Sequence, residues 1–405
     1  MKLTHTAIFL LFILYTFGCG NSYYRKGESY LNAGQYELAI HQLKAAERRN
    51  PADWKIKRAL GMAYFNNKQI NEAIKKLAKA YKSQPKDGRT LIYLGLCFEA
   101  KQMFAKSTAI YRYYATLSIS DPLRKELQAR IRDMYRKELQ QQVKKSLVDF
   151  EQGQLQPIQP NTVAVLYFRN ISQWNELDPL IKGIAEIITN DLEKVRNLRL
   201  VERLKLQVLL DELKLSSSDF YDQLETPKIG TLLGASQLIS GGIERVNETG
   251  LQLNAGVVVT ETGQLLGDGA QASGTIKEIL NLEKTLVFDL IKDMGIELTK
   301  AEQEAIRPLP TKNSLAFIAF SKGLDFEDRN NIDEARAHYE KAIESDPDFE
   351  MAKQRLAQVS VKRLSISDME KLAAFEERLL NTEPTPVNVG SRIGMKFGFA
   401  YHEAY

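Results

Sequence analysis

At 405 residues the chain is too long for one typical domain, and about two to four are expected. Its apolar share, 44%, is ordinary for a globular protein, and two cysteines exclude a disulfide framework. The net charge is only +4, but it is unevenly divided: residues 20–150 hold 26 Lys/Arg against 12 Asp/Glu, and residues 151–405 hold 28 against 39. A basic first module suits an acidic protein partner, an anionic lipid surface or nucleic acid. The plainer reading is a helical array with solvated, Lys-rich faces.

The first segment reads as a targeting signal, residues 1–18. Lys2 gives a charged start, and Ala7 to Phe17 is apolar except for Thr16. These eleven residues are too few to span a bilayer, so they form a signal-peptide core rather than an anchor helix. No later segment reaches 18 apolar residues. The run ends in Thr16-Phe17-Gly18-Cys19-Gly20, which resembles the bacterial lipobox, where a Cys after a small residue is lipidated and becomes the new N-terminus. The resemblance implies lipidation of Cys19. Thr16 and Phe17 depart from the pattern, which prefers Leu and a small residue there. Ordinary cleavage after Gly20 stays open, since Gly18-x-Gly20 is also a small-x-small site. With Cys19 lipidated, Cys97 lacks a partner and reads as a small core residue of an apolar helix. Acyl chains would hold the protein on a membrane. Gly20 rather than Asp after the Cys leans, by analogy, to the periplasmic face of the outer membrane. A soluble periplasmic chain is the alternative.

Next comes a repeat. Gly27, Gly61 and Gly95 are spaced by 34 residues, as are Tyr30, Tyr64 and Phe98, and Ala39, Ala73 and Ser107. Leu43, Leu77 and Tyr111 keep the same spacing, and Pro51 and Pro85 close the first two units. Small residues stand where paired helices would cross closely. The pattern resembles the tetratricopeptide repeat, for three units over about 21–121, followed by a basic capping helix at 122–150. The array is expected over 19–150. The resemblance implies a protein-binding groove, with Tyr30, Tyr64, Asn67 and Lys68 as its candidate residues. Gly323, Phe326, Ala335, Tyr339, Ala342 and Pro347 repeat the same internal offsets, so a fourth unit is expected at 315–348. One repeat cannot bury its own apolar face, so it must dock on the neighbouring domain, the first array or another chain. Residues 350–380 look helical and could pack against it. This C-terminal region spans 312–380.

Between the arrays the pattern changes. A polar linker with two prolines, within 151–160, precedes Val163 to Phe168, an apolar run that reads as a buried strand. Helices follow at Pro179–Val195, Leu204–Leu215 and Ile229–Leu233, with a strand at Leu198–Val201. Leu238 opens a strand that leads into two more, with turns at Asn247–Gly250 and Glu261–Gly263. Ile276–Gly295 is a further helix. The order β-α-β-α-α-β-β-β-α is an α+β or mixed α/β fold. The runs VAVLYFRNIS, GIAEIITNDL, LRLVERLKLQVLLDELKL and IGTLLGASQLISGGI resemble the curli-channel (CsgG-like) domain, close to the N-terminal domain of the TolB proteins, over 161–300. In the curli-secretion channel each subunit adds long β-hairpins to a shared barrel. Here the turns are tight, glycines break the apolar faces, and no Phe, Tyr or Trp occurs between Tyr221 and Phe288 to form an aromatic girdle. The stretch Gly241–Gly269 is therefore expected as soluble sheet. Ile171–Leu177, the counterpart of the channel's narrowing loop, has no pore to gate.

The chemistry of an enzyme is missing. His5, His41, His338 and His402 lack metal-ligand spacing, and no Walker loop, GxSxG elbow or GxGxxG occurs. No cofactor, metal or catalytic residue is expected. In the tail, 381–405, Ile393 to Tyr401 alternates with period two. It reads as an edge strand of the protein's own sheet or a disordered end, with a strand donated to a partner or a membrane contact as sharper alternatives. The chain is thus expected to be multidomain: an all-α TPR solenoid, a CsgG-like α+β domain and a further TPR hairpin. The expected function is a non-enzymatic, lipid-anchored adaptor or assembly factor in envelope biogenesis or secretion. It would bind protein partners through the repeats and the membrane through its lipid, with no nucleic acid and with a homo-oligomer through the middle domain left open. The alternative is a component of a CsgG-type curli secretion channel.

Overall fold

The computed structural model describes residues 22–154, 158–172, 174–214, 225–361 and 364–381. The segment expected as a signal, Cys19 and the alternating tail lie outside them. The chain forms two compact units: one takes in the chain through Tyr93, Thr116–Leu123 and the chain from Leu364, and the other Leu94–Ala115 and Arg124–Arg363.

The N-terminal unit is built from helical hairpins: α1 (22–32) with α2 (Tyr36–Arg49), then α3 (Trp54–Asn66) with α4 (Ile70–Ser83), then the start of α5 (Gly88–Ala100). The glycine register marks where paired helices cross. A Cβ on Gly27 would sit 2.5 Å from Leu43 Cγ, and one on Gly61 2.4 Å from Leu77 Cγ. A second register lies in the turns. Gly34, Lys68, Gln102 and Asn330 all take left-handed backbone, with φ of 73°, 60°, 55° and 57°. Each starts a second helix in a fixed direction.

The larger unit opens with the rest of α5 and most of α6 (Phe104–Leu117). Gly95 lies against the Tyr111 ring, and the Tyr111 hydroxyl donates to Glu99 at 2.5 Å. Cys97 is fully buried, and burial pushes its thiol up to about 12. The basic helix is α7 (Asp121–Glu151). It does more than cap the repeats. Arg130 pairs with Glu99 at 3.2 Å, while Leu139 and Val143 are buried in the core of the α/β domain. Tyr135 donates to Glu202 at 2.7 Å.

The α/β domain runs β1 (Thr162–Val165), β2 (Arg169–Asn170), α8 (Asp178–Leu192), β3 (Arg199–Leu200), α9 (Arg203–Leu213), α10 (Glu225–Leu233), β4 (Gln237–Arg245), β5 (Gly250–Val259), β6 (Leu265–Thr275), α11 (Ile279–Asp293) and α12 (Lys300–Ile306). The sheet order is β3-β1-β4-β5-β6, with β2 also on β4. β1 pairs in parallel with β3 and β4, and β4-β5-β6 is an antiparallel meander. Of the apolar run expected as one strand, Val163–Val165 falls in β1 and Leu166–Phe168 lead on to β2, and Val163 through Phe168 are all buried. Burial of a whole run, rather than of alternate residues, fits a central parallel strand. In β5, Leu251, Leu253, Ala255 and Val257 face the core. The turn before β5 is closed by the Asn247 carboxamide, which accepts from the Thr249 and Gly250 N–H groups at 3.1 and 2.7 Å. β2 and α12 were not legible as elements.

The fourth repeat is α13 (Ser314–Asp328) with α14 (Ile332–Ser345). Gly323 meets the Tyr339 ring as the earlier glycines meet Leu43 and Leu77. Of the three docking partners open for it, the structure selects the α/β domain. α13 packs on α8, where a Cβ on Gly183 would fall within 3.0 Å of both Ser321 Cβ and the Phe317 ring. Segment 350–380 is two helices with different destinations. α15 (Glu350–Val359) packs on α14, whereas α16 (Ile366–Asn381) belongs to the N-terminal unit. Gly183→Val should wedge α13 from α8 and lower the unfolding free energy by about 1–3 kcal/mol. Urea unfolding followed by circular dichroism checks this, with Gly183→Ala expected to lose less.

Candidate protein-binding face and a buried ion cluster

In the N-terminal unit, the first helices of the second and third hairpins present basic and hydroxyl groups to the acidic side of α16. Asp87 immediately precedes α5 and accepts from the Thr90 N–H at 2.9 Å, which caps that helix. Its other oxygen accepts from Arg58 Nη1 at 2.7 Å. The guanidinium of Arg58 also lies over the Trp54 ring, 4.9 Å from its centroid. Fixed on these sides, Arg58 reaches Glu377 of α16 at 3.0 Å. Burial works against the charge of Arg58, but Asp87 and then Glu377 outweigh it and hold its pKa up. One hairpin further along, Arg89 pairs with Glu370 at 2.8 Å and the Tyr93 hydroxyl donates to the same carboxylate at 3.0 Å. Burial, then Glu370, raises the Tyr93 phenol. The Ser118 hydroxyl and Ser120 N–H both donate to one oxygen of Glu376, at 2.6 and 2.7 Å. Nε of Arg89 is buried and has no hydrogen-bond partner.

Of the residues expected to line the groove, Tyr64 is buried at 5% exposure, with Lys44 Nζ 5.7 Å from its ring centroid. Tyr30 is half-buried on α1. Asn67 caps α3, and Lys68 is the exposed left-handed residue of the following turn. The carboxylates of α16 are met by Arg58, Arg89, Tyr93, Ser118 and Ser120, which sequence reasoning missed. The available signal was the basic excess of 20–150 set against the Glu370, Glu376 and Glu377 spacing.

The larger unit carries a second charge cluster. Glu186 and Lys182 come from α8, Arg203 opens α9, Asp325, Glu327 and Asp328 end α13, and Arg355 lies on α15. Arg203 bonds Asp328 and lies 3.2 Å from Glu186. Arg355 bonds Glu186 and lies 3.5 Å from Glu327. Lys182 joins Asp325 and Asp328 at 2.9 and 3.0 Å. The Tyr167 hydroxyl donates to Asp328 at 3.0 Å, and that of Tyr339 to Glu327 at 2.6 Å. Burial raises the carboxyl pKa values of Asp328 and Glu186. Arg203 and Lys182 at the first, and Arg355 and Arg203 at the second, more than offset it, so both end below the usual range. The cluster is charged and mostly buried, with Asp325 and Arg355 each keeping 23% side-chain exposure. It joins α8 and α9 of the α/β domain to α13 and α15. Among the described residues no group of three or more His, Cys, Asp or Glu could hold a metal ion. Trp174, in the expected loop, stacks under Arg245, 3.4 Å from its ring centroid, at the end of β4.

The family described as tetratricopeptide repeat matches residues 24–88 and again 321–349, and the family described as curli production assembly/transport component CsgG matches 140–259. The chain carries tetratricopeptide repeats and a CsgG domain. The CsgG match begins inside α7, next to the residues that enter the α/β core, and ends with β5. No curated protein matches the chain. Among solved structures, the TPR domain of Arabidopsis OM64 is 17% identical, covering 29% of this chain and 98% of its own, with a TM-score of 0.28. The LpoB C-terminal domain from Escherichia coli is 19% identical, covering 34% and 95%, at 0.24. Lipoprotein GNA1162 from Neisseria meningitidis is 14% identical, covering 35% and 100%, at 0.25. Scores this low carry no functional weight.

Arg203→Met should leave Asp328 and Glu186 under-compensated and cost about 3–5 kcal/mol at neutral pH. Both carboxyls have depressed folded pKa values, so their stabilisation is present above the ordinary carboxylate range and lost as pH falls through the folded values. The gap between variant and wild type should therefore narrow below about pH 4. Urea midpoints measured from pH 7 to pH 3 check both statements.

Proposed function

We propose that this chain is a non-enzymatic adaptor of the bacterial envelope, held by lipid on Cys19 at the periplasmic face of the outer membrane. It brings protein partners together in envelope assembly or secretion. The observation that carries the reading is the order along the chain: tetratricopeptide repeats precede and follow a CsgG domain, and the N-terminal hairpins pair with carboxylates on a helix. Repeat faces of this type bind protein segments. No helix among the described residues is long and apolar enough to cross a membrane, so the adaptor reading assigns membrane attachment to the lipid.

A second reading, a component of a CsgG-type secretion channel, is favoured by the family match to the curli transport component. Against it stand the short hairpin turns. β4 and β5 are joined through Val246–Thr249, and β5 and β6 through Thr260–Gln264. Neither turn adds strand outside the sheet.

The two readings separate on the Cys19→Ser protein produced without residues 1–18. The adaptor should be soluble without detergent and give no conductance in a planar bilayer. Discrete conductance steps, or a ring that needs detergent, would favour the channel. In the native host the wild-type chain should fractionate with membranes and the Cys19→Ser chain with the periplasm.

A further inference from the structure

The N-terminal hairpins hold a helix of their own chain against α3 and α5. α16 meets them along one stripe: Met369, Ala373 and Glu376 are buried, and Leu372 is half-buried. The spacing i, i+3, i+4, i+7 is that of one helical face. Glu370 and Glu377 flank the stripe and Glu376 ends it, and each is met by its own groups: Arg89 with Tyr93 for Glu370, the Ser118–Ser120 loop for Glu376, and Arg58 for Glu377. Receptor and ligand differ in one telling respect. Arg58 is held by Asp87 and Trp54, both in the hairpins, so two of its three contacts here do not involve α16. A side chain held in place before its ligand arrives gives up less freedom on binding.

The helix itself is poorly matched to permanent burial. Phe375, Leu379 and Leu380 are 52%, 45% and 67% exposed while it is docked. Glu370 and Glu377 keep 24% and 22% side-chain exposure. Arg89 Nε remains unpaired in the docked state. A ligand with one further acceptor there would gain a bond that α16 does not make.

We infer that α16 is an internal ligand of the repeat face, and that the face's external ligand is an acidic amphipathic helix of a partner protein, with carboxylates at positions i, i+6 and i+7, which binds by displacing α16. This rests on the adaptor reading and specifies its partner class and its regulation. The array is then closed to weak acidic helices and open to those that outcompete α16. The apparent affinity for an external helix falls by the fraction of molecules in which α16 is undocked.

The probe is a fluorescent peptide of residues 364–381, added to the full chain. In the wild type, excess peptide should speed hydrogen exchange of the chain's own α16 amides and leave α8 unchanged. In Glu370→Gln/Glu376→Gln/Glu377→Gln, which weakens docking of the internal helix, the peptide should bind at least about tenfold more tightly than in the wild type. Arg89→Gln added to that background should remove the gain, and circular dichroism should show all the variants folded. Equal peptide binding by wild type and triple variant, or binding indifferent to Arg89→Gln, overturns the inference. So does free exchange of α16 in the triple variant without any peptide binding. None of these results touches the solubility and conductance test, so failure of the inference and failure of the adaptor reading are distinguishable.

Discussion

A single tetratricopeptide hairpin buries one apolar face between its two helices and leaves another that needs a neighbour. The fourth repeat has no adjacent repeat in sequence, and the larger unit is organised around that shortage. α13 lies on α8 of the CsgG domain, closely enough that Gly183 admits no side chain opposite Ser321. The contact is sealed by Arg203, Arg355 and Lys182 against Glu186, Asp325, Glu327 and Asp328. Ions taken out of water cost several kcal/mol each and hold only where every partner is in place. Such a cluster contributes little net stability over an apolar seam, but it penalises every misaligned docking. A helix shifted by one turn would leave a buried Asp328 or Glu186 uncompensated.

The hairpins and much of the α/β domain were legible because their signals are local. The glycine register, 34 residues apart at Gly27, Gly61 and Gly95 and matched at Gly323 by the unit's internal offsets, marks close helix crossings that the structure contains. The apolar run from Val163 to Phe168 is buried throughout. What was not legible depends on partners far along the chain. Arg58 reads as one more Lys/Arg on a basic helix until Glu377 stands beside it. Glu327 and Asp328 look like an exposed acidic helix end, yet their surroundings include Arg203 and Tyr167. α7 reads as a polar cap because its charged residues outnumber the few, Leu139 and Val143 among them, that enter the α/β core. The destination of α16 was invisible for the same reason: its stripe fits any apolar face, and only the positions of Arg58 and Arg89 select one.

Arg–carboxylate pairing thus appears twice with different consequences. Around Arg203 the carboxylates Asp328, Glu186 and Glu327 keep only 2%, 11% and 11% side-chain exposure, while Asp325 and Arg355 at the rim keep 23%. At α16 two of the three carboxylates keep about a quarter of their surface in water, where pairs are weaker and salt-sensitive. The first cluster suits a permanent joint within one folding unit. The second suits a contact that forms and releases. An adaptor needs both: a rigid body that keeps its modules in register, and a face whose occupant can change.

Native-state hydrogen exchange on the full chain tests the permanent joint most directly. If the fourth repeat depends on the CsgG domain, amides of α13 and α14 open with the same free energy as those of α8, and Gly183→Val lowers both helices of the repeat well below α8. If α13 and α14 already exchange in the wild type through a separate, much cheaper opening while α8 stays protected, the repeat is stable without its dock, and the buried ion cluster is not what holds this half of the protein together.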